Sequence, residues 1–164
     1  MRMSQKGLAL LMEWEGPRSK VYDDDGDGNP ATGHPTIGVG HKLLPQEVQA
    51  GAVLIGGQMV PYKDGLTVPQ EQALLQQDLG STEAAVNTHV ARALTQNQYD
   101  ALVCLAYNIG VAAFCRSTLL RLINAGHLDL VPAEFMRWVF SGGRRVQGLV
   151  NRRANEVALW EGRL

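Results

Sequence analysis

Side chains that could perform chemistry are concentrated near the N-terminus. Residues 22–41 read YDDDGDGNPATGHPTIGVGH and hold four aspartates and two histidines among glycines and prolines. Trp14-Glu15-Gly16 stands shortly before this stretch. Carboxylates at this density could bind a metal ion, or one of them could pair with Glu15 in acid–base chemistry. The glycine-rich run could also form a phosphate-binding turn.

Metal and phosphate binding fit these residues poorly. Asp23, Asp25 and Asp27 match the first, third and fifth positions of an EF-hand loop, but its last position is His34, where a bidentate carboxylate is needed. The histidines have no zinc-ligand spacing, and Gly38-Val39-Gly40 lacks the third glycine of a dinucleotide-binding loop. We expect no cofactor and no specific metal site, and a weak cation at the acidic turn is left open.

A pair of carboxylates in unlike surroundings fits better. Glu15 is expected at the end of a short apolar helix beside Trp14, where the pKa of a carboxyl group rises. Asp24 falls in a glycine-rich turn open to water, where a carboxylate stays ionised. Glycoside hydrolysis uses such a pair, an acid for the leaving oxygen and an anion that steers water or stabilises charge. From the residues alone, a solvated Glu15 and a turn-capping Asp24 remain open.

The elements that would hold this pair follow from caps and apolar spacing. Ser4 can cap a helix over residues 4–14, which Gly16-Pro17 ends. Residues 21–22 and 36–39 favour a hairpin or short sheet. The stretch from residue 45 to residue 66 is expected to be irregular, apart from a hairpin that turns at Gly56-Gly57.

From Thr67 onward the sequence is typical of helices. Capping boxes begin at Thr67 and Thr95, Ser117 can cap a further helix, and Gly110 and Gly126 are stop signals. The expected helices cover about residues 67–90, 95–110, 117–126, 131–139 and 149–160. The predicted fold class is α+β, mainly α, in one domain over residues 1–164. It has a small mixed lobe (about 1–66), a long linking helix (about 67–90) and a larger helical lobe (about 91–164).

Charge and composition exclude several classes of protein. The net charge is −1, which gives no overall attraction to nucleic acid, and no stretch approaches the length of a membrane span. The apolar run of residues 7–12 is too short for a secretory signal, so we expect a soluble cytoplasmic protein. Six arginines against two glutamates over residues 137–163 indicate a basic face that is either solvated or in contact with anionic groups of the cell envelope.

Several motifs together resemble those of a known family. In chain order they are Trp14-Glu15-Gly16, Val21-Tyr22-Asp23-Asp24, Thr36-Ile37-Gly38-Val39-Gly40-His41, Thr95-Gln96-Asn97-Gln98-Tyr99-Asp100-Ala101-Leu102, Tyr107-Asn108-Ile109-Gly110 and Asn151-Arg152-Arg153-Ala154-Asn155-Glu156. With these motifs the chain resembles the phage-type lysozymes, the muramidase endolysins of glycoside hydrolase family 24. The resemblance covers almost the whole chain and implies a lysozyme-like fold.

The resemblance also implies roles for five residues. Glu15 would be the general acid, Asp24 the second carboxylate, and Thr36 would hold the attacking water with Asp24. Arg152 would pair near the catalytic glutamate, and His41 would be a structural histidine behind the hairpin.

The loop departs from the family pattern in one respect. The usual spacing from Asp24 would place the threonine at position 30, which is Pro30 in this chain. The run from Thr36 to His41 favours Thr36 over Thr32 as the family threonine. The spacing from the preceding tyrosine favours Asp24 over either neighbouring aspartate.

The resemblance implies an endolysin that cleaves the β-1,4 bond between N-acetylmuramic acid and N-acetylglucosamine in peptidoglycan, with inversion. Such an enzyme would stay in the host cytoplasm until a holin gives it access to the periplasm and the wall. It would act as a monomer, without stable membrane insertion and without nucleic acid. A lytic transglycosylase on the same scaffold and a non-catalytic wall-binding protein are the alternatives.

Overall fold

The first helix begins and ends within one residue of its predicted bounds. The computed structural model describes residues 1–23 and 33–164, and in it α1 spans Gln5–Glu15. Ser4 Oγ accepts a hydrogen bond from the N–H of Gly7 at 3.0 Å, which satisfies one of the amides left open at a helix start. Gly16 then takes a left-handed φ of +67°, a conformation that glycine adopts at little cost, and the helix ends.

The described residues form two compact units. One consists of residues 9–78, and the other combines residues 1–8 with residues 79–164. Helix α1 runs through both, because its first turn belongs to one unit and Glu15 to the other. None of the helices in residues 1–23 and 33–164 combines the length and the hydropathy that a membrane span requires.

The unit of residues 9–78 is built on a small antiparallel sheet in which β2 lies between β1 and β3. A separate hairpin of β4 and β5 turns at Gly56-Gly57, as predicted, and both glycines have the positive φ that a tight hairpin turn requires. The elements after α1 are β1 (Arg18–Asp23), β2 (Pro35–Gly38), β3 (His41–Lys42), α2 (Pro45–Ala50), β4 (Ala52–Ile55), β5 (Gln58–Pro61) and α3 (Val68–Asp78).

Apolar side chains from the sheet, the β4–β5 hairpin and α3 share one core in this unit. Ile37 on the central strand is fully buried in it, so the core holds the strand that also carries Thr36. The buried members of the core are Ile37, Leu43, Val53, Ile55, Leu66 and Leu74.

The second unit is mainly helical and surrounds α5. Six consecutive residues of α5, from Ala101 to Ala106, are fully buried, and the helix packs against α4, α6 and α9. Burial on all sides explains why this segment is apolar around its whole circumference. The elements are α4 (Gly80–His89), α5 (Gln96–Ile109), α6 (Val111–Cys115), α7 (Thr118–Ala125), a short 3-10 helix (Leu128–Leu130), α8 (Val131–Phe135), β6 (Phe140–Ser141), β7 (Arg144–Arg145) and α9 (Gln147–Trp160).

The caps predicted for this unit are present. Thr95 Oγ1 accepts from the N–H of Gln98 at 3.3 Å, and Gln98 Oε1 accepts from the N–H of Thr95 at 3.0 Å, which is a reciprocal capping box. Ser117 Oγ accepts from the N–H of Leu120 at 3.1 Å at the start of α7. Gly126 ends that helix in a left-handed conformation.

Four segments differ from the prediction, although the α+β, mainly α class is confirmed. The expected helix over about residues 67–90 is two helices separated by Leu79, where the low helix propensity of Gly80 weakens continuity. Residues 45–50 form α2 instead of irregular chain, because Pro45 suits the first turn of a helix. Helix α8 ends at Phe135 and not at residue 139, and residues 140–145 add a hairpin around two glycines of positive φ.

Candidate active site

Glu15 lies at the end of α1, where the sequence places it. It is the last residue of the helix and is half-buried, as is Trp14. The N–H of Gly16 still donates to the Met12 carbonyl at 3.1 Å, and Pro17, which has no N–H, cannot continue the ladder. The Glu15 carboxyl group is therefore carried by a hydrogen-bonded helix end and keeps partial access to solvent.

Thr36 lies on the central strand of the sheet. It pairs with Tyr22 of β1 and with Lys42 of β3. It is fully buried, and its Oγ1 donates a hydrogen bond to the His34 carbonyl oxygen at 2.8 Å. A hydroxyl group that donates one hydrogen bond still has oxygen lone pairs. Thr36 Oγ1 can therefore accept a hydrogen bond from a water molecule.

The chain between Glu15 and this strand pair is short. Strand β1 begins at Arg18, which pairs with Gly38 of β2, and Tyr22 later in β1 pairs with Thr36. The register is irregular between these two pairs, and the Arg18 guanidinium lies 4.6 Å from the centre of the Tyr22 ring, a cation–π contact within β1. The helix end that carries Glu15 is thus tied closely to the strands that carry Thr36.

The strand register also brings the start of the aspartate loop to the level of Thr36. Asp23 ends β1 and pairs with Pro35, the residue before Thr36, and its carboxylate lies against Gly33, where any Cβ would collide with it. The predicted second carboxylate, Asp24, lies outside the described residues, as do the other aspartates of the loop. Within residues 1–23 and 33–164, no group of three or more His, Cys, Asp or Glu side chains could hold a metal ion.

His41 on β3 is held between two carboxylates. Its Nδ1 lies 3.0 Å from both Asp78 oxygens, and its Nε2 lies 3.2 Å from Glu47 Oε2. Glu47 is buried and also accepts hydrogen bonds from the N–H groups of Leu44 and Leu54, at 2.9 and 3.0 Å. These contacts join β3 to α2, to β4 and to the end of α3.

Both carboxylates favour the charged imidazolium. The hydrogen bond to Asp78 raises the pKa of His41 above its usual 6.5, and the charges of Asp78 and Glu47 add to this against the opposing effect of burial. Burial by itself raises the pKa of Glu47. The hydrogen bonds from the N–H groups of Leu44 and Leu54 and the interaction with His41 lower this pKa by more, so that it lies below its usual 4.5. The two shifts agree, so the His41–Glu47 pair is stabilised in its charged form.

Arg152 lies in the other unit, on α9. Its side chain is 10% exposed, and its Nε–H donates to Glu156 Oε1 at 3.2 Å. The fully buried Arg153 donates to the same oxygen at 2.6 Å.

Sequence reasoning missed three of the residues that hold the predicted ones: Glu47, Asp78 and Glu156. Two of them carried a local signal. Glu47 lies three residues after Leu44, at the position from which a glutamate reaches back to the helix start, and Glu156 lies at i+4 from Arg152 on one helix face. Asp78 carried none, because its contact with His41 joins residues far apart in the chain.

Comparison with known proteins identifies the family. A profile of the phage lysozyme family matches residues 12–156. The chain belongs to the phage lysozyme family. Among its relatives, the endolysin of Bacillus phage PZA is 39% identical over 160 residues, which cover 98% of this chain and 55% of that endolysin. The chain thus spans about half the length of this relative.

Two solved structures match nearly the whole chain. The crystal structure of a mutant of P22 lysozyme has a TM-score of 0.79 and 35% identity, and the match covers 98% of this chain and 99% of that one. The muramidase domain of SpmX from Asticaccaulis excentricus has a TM-score of 0.75 and 31% identity, with 97% of each chain covered.

These comparisons confirm the lysozyme-like fold and the resemblance to the phage-type lysozymes. The predicted class of enzyme, a glycosidase of lysozyme type, is confirmed by membership of this phage lysozyme family. The roles of Glu15, Asp24, Thr36, His41 and Arg152 stay predictions.

Proposed function

We propose that this phage lysozyme is an endolysin that hydrolyses the β-1,4 bond between N-acetylmuramic acid and N-acetylglucosamine in peptidoglycan and so lyses its host. The observation that supports the site most directly is the strand pairing after α1, which ties the helix end of Glu15 to the buried hydroxyl group of Thr36. Relatives named as endolysins and a structural neighbour named as a muramidase support the substrate.

In the proposed reaction, Glu15 donates its proton to the glycosidic oxygen as the bond from that oxygen to the anomeric carbon breaks. Thr36, whose own proton is committed to His34, accepts a hydrogen bond from a water molecule. The Asp24 carboxylate takes a proton from this water as its oxygen attacks the anomeric carbon from the opposite face. The products are a reducing N-acetylmuramic acid end and a free hydroxyl group on N-acetylglucosamine, and the configuration inverts.

Two further residues support this site in our proposal. His41 would keep β3 in place through Glu47 and Asp78, and β3 pairs with the strand that carries Thr36. Arg152 would place its guanidinium near the Glu15 carboxyl group, where a positive charge stabilises the carboxylate left after proton transfer.

The remaining elements of the proposal concern the whole protein. We propose that the two units form a single lysozyme-like domain, and that the enzyme acts as a monomer on peptidoglycan. It would wait in the host cytoplasm and reach the periplasm and the wall with the help of a holin. No nucleic acid and no stable insertion in a membrane are part of this function.

The direct test is Glu15→Gln, which keeps the shape of the side chain and removes its acid. We expect the purified variant to remain folded and to release almost no soluble fragments from purified peptidoglycan, because nothing then protonates the leaving oxygen. Glu13→Gln is the matched control, since Glu13 is an exposed glutamate on the same helix, and it should keep wild-type activity. Wild-type release by Glu15→Gln would remove Glu15 from the mechanism.

The same digestion separates the alternative functions. Mass spectrometry of the products from the wild-type enzyme should show fragments with reducing ends. Fragments one water lighter would identify a lytic transglycosylase, which closes an anhydro ring in place of adding water. Binding to peptidoglycan without any release, together with no clearing of permeabilised cells, would identify a non-catalytic wall-binding protein.

A further inference from the structure

A cluster of three charged residues lies on α9, and two of them, Arg153 and Glu156, have no part in the proposed reaction. Arg153 and Glu156 are both fully buried, and Arg153 is among the largest side chains of the protein with no exposed surface. Arg152, one residue earlier, is 10% exposed at its side chain. Helix α9 packs against α5 and α8, so these charges lie within the packing of the helical unit.

Both arginines of the cluster donate a hydrogen bond to the same carboxylate oxygen of Glu156. Glu156 Oε1 accepts from Arg153 Nη2 at 2.6 Å and from Arg152 Nε at 3.2 Å. Arg153 Nη1 lies 3.4 Å from the Trp138 carbonyl oxygen, which holds the guanidinium from its other side. Among the described residues, neither Glu156 Oε2 nor Arg153 Nε has a hydrogen-bond partner. The bonds are therefore concentrated on Oε1, where both arginines meet.

Stability alone explains this arrangement poorly. Removing two charges from water costs several kcal/mol per ion, and an apolar pair of similar volume in such a place is often as stable or more stable. The cost is visible at Glu156, where burial raises the pKa of the carboxyl group to about 7 against the lowering effect of Arg153 and Arg152. Glu156 Oε2 and Arg153 Nε, which have no hydrogen-bond partner in the part of the chain that the structure describes, add to this cost. A role in placing another group accounts for a cluster that stability does not favour.

We propose that Glu156 is a positioning residue, whose Oε1 fixes the guanidinium plane of Arg152 and so sets the direction of the other N–H groups of Arg152. The planar guanidinium transmits this constraint, because a hydrogen bond at Nε fixes the orientation of the whole group. Arg153, which also donates to the Trp138 carbonyl oxygen, makes a second and separate hydrogen bond to the same Glu156 oxygen. The inference rests on the proposed role of Arg152 beside the catalytic carboxyl group.

The test uses variants in a common background, because removing Glu156 alone would leave Arg153 as a buried, unpaired charge and would strongly destabilise the protein. Arg153→Met removes that charge and leaves the Arg152–Glu156 bond intact. Adding Glu156→Gln keeps an oxygen that can accept from Arg152, and adding Glu156→Met removes the acceptor.

We expect kcat on purified peptidoglycan to stay near the wild-type value in Arg153→Met and to fall only modestly with Glu156→Gln. It should fall about tenfold or more with Glu156→Met, while KM changes little, since a misplaced group slows the reaction without loosening the substrate. A merely structural role would instead give equal kcat in the three variants once each is folded.

A second readout does not depend on activity. The Nε–H of Arg152 is expected to give a ¹⁵N NMR signal that exchanges slowly with water in the wild type and in Arg153→Met, and rapidly with Glu156→Met. Arg152→Lys, which lacks this group, assigns the signal. Slow exchange in the Glu156→Met variant, or undiminished kcat, would overturn the inference.

Two further outcomes are distinguishable. If the Glu156→Met variant does not fold, Glu156→Asp in the same background withdraws the oxygen by one methylene group and should reproduce both the lower kcat and the fast exchange. If the wild-type protein hydrolyses no peptidoglycan, the proposed function fails, and the NMR comparison still decides whether Glu156 orients Arg152.

Discussion

Residues of the same type near the candidate site differ in their surroundings. Glu13 is exposed, whereas Glu15 two positions later is half-buried at the helix end. Asp23 lies at the end of β1, where its carboxylate packs against Gly33. A reaction that gives two carboxyl groups unlike tasks can use such differences in surroundings.

The ranking of the loop aspartates is a first prediction. Asp24→Asn should lower kcat on peptidoglycan about a hundredfold or more, because an amide cannot take a proton from the attacking water. Asp23→Asn and Asp25→Asn should each change kcat by less than about threefold. A larger loss in either of these two than in Asp24→Asn would move the second carboxylate to that position.

The His41 network predicts a dependence of stability on pH. The folded pKa of His41 lies above its usual 6.5, so the charged imidazolium is favoured in the folded state. The resulting stability is fully present below the unfolded pKa and is lost as pH rises through the raised folded pKa. In urea unfolding, the stability lost in His41→Gln should therefore be larger at about pH 6 than at about pH 9.

The control for this prediction is His89→Gln, which removes an exposed histidine. Its effect on stability should be small at both pH values. An equal loss at both pH values in His41→Gln would mean that the histidine acts through packing and not through its charge.

At the scale of elements, the start of α1 is fixed by a buried carboxylate of α5. Asp100 is fully buried and accepts hydrogen bonds from the N–H of Ser4 at 3.0 Å and from Gln96 Nε2 at 2.8 Å. Gly7 lies against it so closely that an added Cβ would stand 2.7 Å from Asp100 Cγ. Only glycine, which has no Cβ, allows this close approach, so the packing of the start of α1 against Asp100 requires glycine at position 7.

Gly7→Ala is accordingly expected to destabilise the protein by about 1–3 kcal/mol, because Asp100 cannot move without losing its hydrogen bonds. Gly80→Ala is the matched control, since nothing lies within 4 Å of a Cβ added at this helical glycine. That substitution should be neutral or stabilise by up to about 1 kcal/mol through helix propensity. Urea unfolding measures both, and equal effects would show that backbone propensity and not the contact with Asp100 decides.

At the scale of the whole molecule, both ends of the chain contribute to one unit. Residues 1–8 belong to the same unit as residues 79–164, while residues 9–78 form the other, and α1 continues through both. Loss of either unit would free part of α1, and a helix of this length is not stable alone. The two units should therefore unfold together.

The tryptophans report on this prediction, because Trp14 lies in one unit and Trp138 and Trp160 in the other. In a variant with Trp138→Phe and Trp160→Phe, the fluorescence of Trp14 reports on the unit of residues 9–78. In Trp14→Phe, the fluorescence of the other two tryptophans reports on the unit that includes residues 79–164. Circular dichroism gives the stability of each variant. Once the differences in stability are taken into account, the unfolding transitions followed by fluorescence should coincide with those followed by circular dichroism. Separate midpoints would show that the chain consists of two independent folding units and would contradict the single domain.

The sequence alone determined the features that depend on neighbours a few residues away. The helix starts at Ser4, Thr95 and Ser117 and the hairpin turn at Gly56-Gly57 are all confirmed. The position of Glu15 at a helix end belongs to the same group. Caps and turns are satisfied by atoms within about four residues, so their energy can be read from local sequence.

Tertiary structure decided which distant groups meet. It brought Asp78 to His41 and Asp100 to Ser4, and it buried Arg153 and Glu156, whose contact with each other is local. These contacts depend on burial and on the closure of long loops, and no local pattern carries that free energy.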